Sequence, residues 1–311
     1  MRIISDPGAL FEGGEKSRRV AIAIGVFDGV HLGHQQVLRQ ALADARQQGG
    51  YAVAVTFDRH PSSIVAPERA PLLIYSQEQK LEKIGAMGMD ATWVVEFTAE
   101  FGRINGESFV RGLKREFPGL CSVCVGHNFT FGHQRSGNVE LLRRLGGETG
   151  FNTHGLASVS LDGEVVSSTR IREQIREGDL DGASQMLGRP YSIKARVITG
   201  DKLGRQIGFP TANLDVRGLV TPPHGVYAAH VLHGGKSWNA AINIGVRPTI
   251  AGRGGELRLE AHLLDANLDL YGELLEVLFV AQLREERKFS NVELLKAQIA
   301  SDVAAARRLL R

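Results

Sequence analysis

Gly25-Val26-Phe27-Asp28-Gly29-Val30-His31-Leu32-Gly33-His34 follows directly on the apolar run Val20-Ala21-Ile22-Ala23-Ile24. Beyond it, Leu32, Val37, Leu38, Ala41, Leu42 and Ala45 recur at helical spacing. The order is strand, glycine-bearing turn, helix start. A first helical turn offers unpaired N–H groups and the positive end of the helix dipole, and both favour bound phosphate. His31 and His34 add imidazole donors toward the same anion. Two surface or partly buried histidines at a helix start are the competing reading, and a metal pair is another, but no carboxylate or third ligand is placed by sequence to complete it. The turn predicts a site for a nucleotide's phosphates.

The same alternation continues outward. Tyr51–Phe57 predicts a second strand, and a helix starts at Ser76 with a capping box to Gln79. Segment 91–97 predicts a strand, 107–117 a helix stopped by Pro118, and 121–125 a strand. A loop with Gly126, Gly132 and Gly137 precedes a helix through Leu141-Leu142 and a strand at 155–159. Strands alternating with helices imply an α/β, doubly wound, mostly parallel sheet, which binds ligands beyond the carboxyl ends of its strands.

The texture changes at Leu187-Gly188-Arg189-Pro190. Segments 227–232 and 238–244 read as a hairpin, and 258–264 and 274–280 as further strands of a small antiparallel β-barrel. A closing helix starts at Ser290, with a capping box to Glu293 and a stripe of Val292, Leu295, Ile299 and Val303. The expected division is residues 1–186 and 187–311.

The 311 residues are 43% hydrophobic and carry a formal charge of +3, enough for two ordinary cores and too mildly basic to point to nucleic acid. Two cysteines argue against a disulfide framework and for a reducing compartment. No signal peptide is evident, and no run approaches the roughly 18 apolar residues of a membrane span. A cytoplasmic protein without membrane or nucleic-acid partners is expected, its oligomeric state left open.

Other segments carry chemistry. Ser167-Ser168-Thr169-Arg170-Ile171-Arg172-Glu173 opens a helix with Ser168 or Thr169 as its natural cap. Two arginines there oppose the helix dipole unless an anion arrives, and arginine grips phosphate bidentately. In the stretch 200–213, Gly200, Gly204 and Gly208 let backbone amides wrap a phosphate, while Thr211 and Asn213 offer oxygens suited to Mg²⁺. A plain turn is the alternative. Glu260 shares a strand face with Arg258 and His262, where a carboxylate can accept a hydroxyl proton or be merely solvated. Gly235-Lys236-Ser237 is no P-loop, because His230 replaces the first glycine and the context is a hairpin. Cys121 and Cys124, with His127 and His133, match no common zinc spacing and read as packed cysteines.

Taken in order, the segments 25–34, 56–61, 125–132, 167–173, 200–214, 223–227, 243–249, 260–271 and 283–289 resemble the prokaryotic bifunctional riboflavin kinase/FAD synthetase family over nearly the whole chain. The resemblance implies a nucleotidyltransferase-like α/β module that adenylylates FMN, followed by a split-barrel riboflavin kinase module. It implies ATP, riboflavin, FMN and FAD as substrates or products, with Mg²⁺. By this likeness His31, His34 and Arg170 serve adenylyl transfer, and Gly25, Phe27, Gly33, Asn128, Ser168 and Thr169 contact the nucleotide. Phe57, Asp58, His60 and Pro61 belong to the FMN site. In the kinase module Gly200, Gly204, Gly208, Thr211 and Asn213 contact Mg·ATP, Glu260 is the base and Arg284 lies beside the flavin. The chain departs from the family pattern at Ala195, at Asn128 and across 102–106. A kinase acting alone, or a flavin- or nucleotide-binding sensor, are the alternative functions.

Overall fold

Large and small side chains alternate along 20–24, and all five are buried. Val20, Ile22 and Ile24 pack on one side with Val110, Leu113, Leu142 and Leu145. Ala21 and Ala23 face the other way, against Leu38, Ala41 and Ala45. The alanines leave room for a helix to lie close to the sheet. This strand is therefore covered on both faces, as a central parallel strand must be.

The computed structural model describes residues 1–11, 18–200, 203–247, 256–266 and 268–311. Asp201 and Lys202 of the glycine-rich stretch, and Pro248 and Thr249 of segment 243–249, lie outside the described residues. Contacts divide the chain into two units, Met1–Leu73 with Gln77–Ser168, and Ile74–Ser76 with Thr169–Arg311.

The first unit is built from β1 (Arg2–Ile4), β2 (Val20–Ile24), α1 (Leu32–Gln47), β3 (Tyr51–Phe57), α2 (Ser62–Val65), α3 (Gln77–Ala86), β4 (Ala91–Val95), α4 (Gly106–Glu116), β5 (Leu120–Gly126), α5 (Val139–Thr149) and β6 (Asn152–Leu156). A small hairpin, β7 (Ser160–Leu161) and β8 (Glu164–Val165), follows. The six-stranded sheet has the order β1-β4-β3-β2-β5-β6, every pair parallel. Chain direction across the sheet reverses between β2 and β5. A doubly wound sheet opens its ligand crevice at that switch point.

The second unit takes up α6 (Ser168–Glu177) from Thr169 onward and continues with α7 (Leu180–Leu187), β9 (Ser192–Ile198), α8 (Leu203–Gln206), β10 (Ala212–Leu214), β11 (Gly225–His233), β12 (Lys236–Arg247), β13 (Glu256–Leu263), β14 (Leu274–Glu285) and α9 (Val292–Leu309). The six strands close into an antiparallel barrel in the order β10-β13-β12-β11-β14-β9. The predicted hairpin is β11 and β12, paired from Gly225↔Ile244 to His233↔Lys236.

Several boundaries differ from the sequence reading. The strand expected at 155–159 is Asn152–Leu156, because its register with β5 runs from Ser122↔Asn152 to Gly126↔Leu156. The helix expected from 107 starts at Gly106, since Asn105 Oδ1 accepts the Ser108 N–H at 2.8 Å. Asn291, not Ser290, caps the last helix, accepting the Leu294 N–H at 2.9 Å. Ser168 does not cap α6 from outside. It is the helix's first residue, and its hydroxyl donates to the Asp28 carbonyl at 3.0 Å.

Candidate active sites

The turn after β2 is built from backbone that side chains rarely adopt. Phe27 has φ 54°, Gly29 φ 79° and Val30 φ 42°. A Cβ on Gly25 would lie 2.8 Å from the Phe27 ring, so only glycine lets that ring fold back. His31 is the N-cap of α1, and its Nδ1 faces the His34 N–H at 3.4 Å. The two imidazoles stack at 3.6 Å and 18°, and Phe27 meets His34 edge-on at 5.4 Å. Gly33 permits this stacking, since a Cβ there would come within 3.3 Å of the His31 ring. Both histidines thus stand over the first turn of α1, held by aromatic contacts.

Across the switch point, β5 ends at Gly126 and leads to exposed Asn128. The ends of β2 and β5 are the positions that the doubly wound topology assigns to a ligand. Ser168 joins this place through its bond to Asp28. Thr169 is exposed and Arg170 half-buried in the following positions of α6.

The end of β3 and the segment after it carry the four residues expected to serve FMN. Phe57 is buried and begins a chain of ring contacts through Phe97, Phe101, Phe109 and Phe131 to Phe129. Asp58 accepts the Phe97 N–H at 2.8 Å and pairs with Arg59 at 2.7 Å. Burial pushes its carboxyl up, but Arg59 and the backbone donors outweigh this and hold it below the usual range. His60 Nδ1 accepts the Ser62 N–H at 3.2 Å, and Pro61 leads into α2. The sequence reading missed the aromatic chain because its members come from separate segments. It also missed Lys80, a buried lysine of α3 that donates to the Phe57 carbonyl at 2.8 Å.

In the barrel, strand register gathers the second set. Asn213 of β10 pairs with Glu260 of β13, Glu260 with Asn243 of β12, Asn243 with Val226 of β11, and Val226 with Arg284 of β14. Residues directly opposite one another share a face, with Cβ atoms about 5 Å apart. All five line a cavity of about 320 Å³, joined there by Thr211 and Gly204. Thr211 also lines a second cavity, of about 550 Å³, beside Arg205, Pro210 and Tyr271. The glycines let the loop pack tightly. A Cβ on Gly200 would meet Asn213 Nδ2 at 2.2 Å, one on Gly204 the Phe209 carbonyl oxygen at 2.3 Å, and Gly208 has φ 94°. Ala195, on β9, is buried in the barrel.

Arg284 is not free to swing. Asp302 of α9 accepts from its Nε at 3.0 Å and its Nη2 at 2.8 Å, and Gln298 donates to the same carboxylate at 2.7 Å. Leu295, Ile299 and Val303 line the cavity as the stripe predicted, whereas Val292 is exposed. Sequence reasoning missed Asp302 and Asn243. Asp302 belongs to the buried side of α9 and is recognisable as functional only once Arg284 is placed. Cys124 is buried and Cys121 half-buried; among the described residues no cluster of His, Cys, Asp or Glu suits a metal ion.

The chain thus joins an α/β unit, with a strained turn at its sheet's switch point, to a closed antiparallel barrel with a polar row in its cavity, a two-module architecture. Residues 14–170 match the FAD synthetase family and residues 187–310 the riboflavin kinase family. A bifunctional riboflavin kinase/FMN adenylyltransferase of Pseudomonas fluorescens is 39% identical, covering 94% of this chain and 93% of its own. The Escherichia coli K12 protein of the same name is 37% identical over 92% and 91%. A solved structure of a macrolide-efflux protein from Streptococcus pneumoniae, 27% identical, superposes with a TM-score of 0.80 over 98% of both chains. Among the described residues here, no helix is long and apolar enough to cross a membrane. The chain belongs to the bifunctional riboflavin kinase/FMN adenylyltransferase family.

Proposed function

We propose that this protein phosphorylates riboflavin to FMN and then adenylylates FMN to FAD, residues 187–311 carrying the first reaction and 1–186 the second. The observation that carries the reading is the barrel row Asn213–Glu260–Asn243–Val226–Arg284, which sets a carboxylate between amides in one cavity. That cavity is of small-molecule size and shares Thr211 with a neighbouring one. Two substrates that exchange a phosphoryl group need two pockets meeting at one point.

In the kinase, riboflavin occupies the cavity of Glu260 and Arg284, and ATP the side of Gly200, Gly204, Gly208 and Thr211. Glu260 takes the proton of the ribityl 5′-hydroxyl as its oxygen attacks the γ-phosphorus. ADP leaves, and FMN is formed. The donor set fits a hard cation: Asn213 Oδ1 is buried with no hydrogen-bond partner among the described residues, and Thr211, two residues before it, adds a hydroxyl to the same cavity. Thr211 and Asn213 would hold Mg²⁺, which when bound neutralises charge on the phosphate oxygens.

In the adenylyltransferase, a phosphate oxygen of FMN attacks the α-phosphorus of ATP, and pyrophosphate leaves. His31, His34 and Arg170 stabilise the leaving phosphates. Gly25, Phe27, Gly33, Asn128, Ser168 and Thr169 hold the nucleotide, and Phe57, Asp58, His60 and Pro61 the flavin side. Support comes from the stacked histidines at the N-terminus of α1, at the sheet's switch point.

The test is a time course with riboflavin and Mg·ATP, products separated. FMN is expected first and FAD second. His34→Ala should stop FAD formation and leave FMN formation intact. Glu260→Gln should stop FMN formation and leave FAD formation from supplied FMN. Loss of both reactions in either folded variant, or retention of both, refutes the two-site assignment.

A further inference from the structure

A lysine is seldom buried without a partner, and Lys80 is only 7% exposed. It lies on α3 beside buried Gln79, Leu81 and Ile84. Its Nζ donates to the Phe57 carbonyl oxygen at 2.8 Å and lies 3.3 Å from Thr56 Oγ1. The Thr56 hydroxyl donates in turn to the Val26 carbonyl oxygen at 3.0 Å. The ammonium is therefore linked directly to the end of β3, where the proposed flavin residues begin, and through the Thr56 hydroxyl to the turn after β2, where the proposed phosphate residues begin.

Packing alone does not explain a lysine here. A methionine would fill the space without the cost of desolvating a charge. Burial pushes the Lys80 pKa down to about 8, while Asp28 and Asp58 offset part of that push. The charged groups facing it are Asp28 from the turn and Asp58 from beyond β3, the latter paired with Arg59; β4 contributes none. The turn it supports is strained, with Phe27 and β-branched Val30 at positive φ. Such backbone persists only where its surroundings over-determine it.

We infer that Lys80 is a positioning residue for adenylyl transfer, its ammonium fixing the spacing between the flavin-side segment 57–61 and the phosphate-side turn 25–34. The inference rests on the assignment of that reaction to the α/β unit. The attacking FMN oxygen and the α-phosphorus of ATP must meet in line, and the two substrates are held by segments from different strands. Lys80 touches no reacting atom. Its charge is attracted by Asp28 and Asp58, and its hydrogen bonds tie Phe57 to Val26 through Thr56.

The experiment uses the full-length protein with Lys80→Met and Lys80→Arg. Riboflavin kinase activity and FMN adenylyltransferase activity are measured on the same preparations. Lys80→Met should lower kcat for FAD formation by about 100-fold, with a smaller change in KM and unchanged kinase activity. In the wild type, kcat/KM for FAD formation should fall as pH rises through about 8, as the ammonium loses its charge. Lys80→Arg should restore part of the rate and abolish this alkaline limb, because a guanidinium does not titrate there. Wild-type kcat in Lys80→Met, or a wild-type profile flat through this range, overturns the inference while the assigned reaction stands. Wild-type protein that makes FMN and never FAD removes the assignment and the inference together.

Discussion

Replacing Asp302 by alanine tests whether α9 is fastened to the barrel through Arg284. The two side chains are 7% and 19% exposed, so the pair behaves as a buried ion pair more than a surface one. Exposed pairs contribute up to about 1 kcal/mol, whereas breaking a buried pair from one side costs roughly 3–5 kcal/mol. Arg284 keeps one hydrogen bond, from Nη1 to the Glu285 carbonyl at 2.9 Å, and Gln298 loses its acceptor. The lower end applies, about 3 kcal/mol, which for a unit of this size is a fall in Tm of roughly 10 °C. The assay is denaturant and thermal unfolding of Asp302→Ala, with the double variant Arg284→Leu/Asp302→Leu as the charge-free comparison. Removing both charges should recover most of the loss, to within about 1 kcal/mol of wild type, since no charge is then left buried alone. KM for riboflavin should rise in Asp302→Ala, because Arg284 lines the cavity and would lose its fixed direction. FAD formation from supplied FMN should not change. An Asp302→Ala protein within about 0.5 kcal/mol of wild type would falsify the claim that this contact fastens the helix.

Gly204→Ala should abolish most riboflavin kinase activity and spare FMN adenylylation, because its Cβ would sit 2.3 Å from the Phe209 backbone oxygen and 3.3 Å from Thr211 Oγ1; separate assays of the two reactions check it. Lys80 also makes a stability prediction. Its folded pKa of about 8 lies below the ordinary lysine value of 10.5, so between these pH values the unfolded chain binds more protons and unfolding free energy rises with pH. The wild type should therefore gain on Lys80→Met as pH rises from 8 to 10, by up to about 1.4 kcal/mol per pH unit, read by denaturant unfolding at each pH. A constant difference across that range would mean that Lys80 is not desolvated as described.

Much of the architecture was legible because it rests on local pattern. The alternating buried run at 20–24, the hairpin turn at Gly234-Gly235 and the stripe of Leu295, Ile299 and Val303 each carry their own period or turn chemistry. Boundaries were less legible, because neighbouring residues compete for one role: Ser290 and Asn291 are both good caps, and the geometry selected Asn291. Strand β1 escaped notice because three residues carry no period, and only pairing with β4 defines it.

By itself the sequence determined the alternation of the main strands and helices, the turn between β2 and α1, and the glycines that backbone approach requires, since these depend on residues within one or two turns of each other. Tertiary structure alone decided which distant residues meet. Asn213, Glu260, Asn243 and Arg284 fall in one row only through barrel register, and no spacing along the chain encodes that register. Lys80 reaches Phe57, and Asp302 reaches Arg284, for the same reason. A side chain's charge is written in the sequence, whereas its desolvation and its partner exist only after the chain has closed around it.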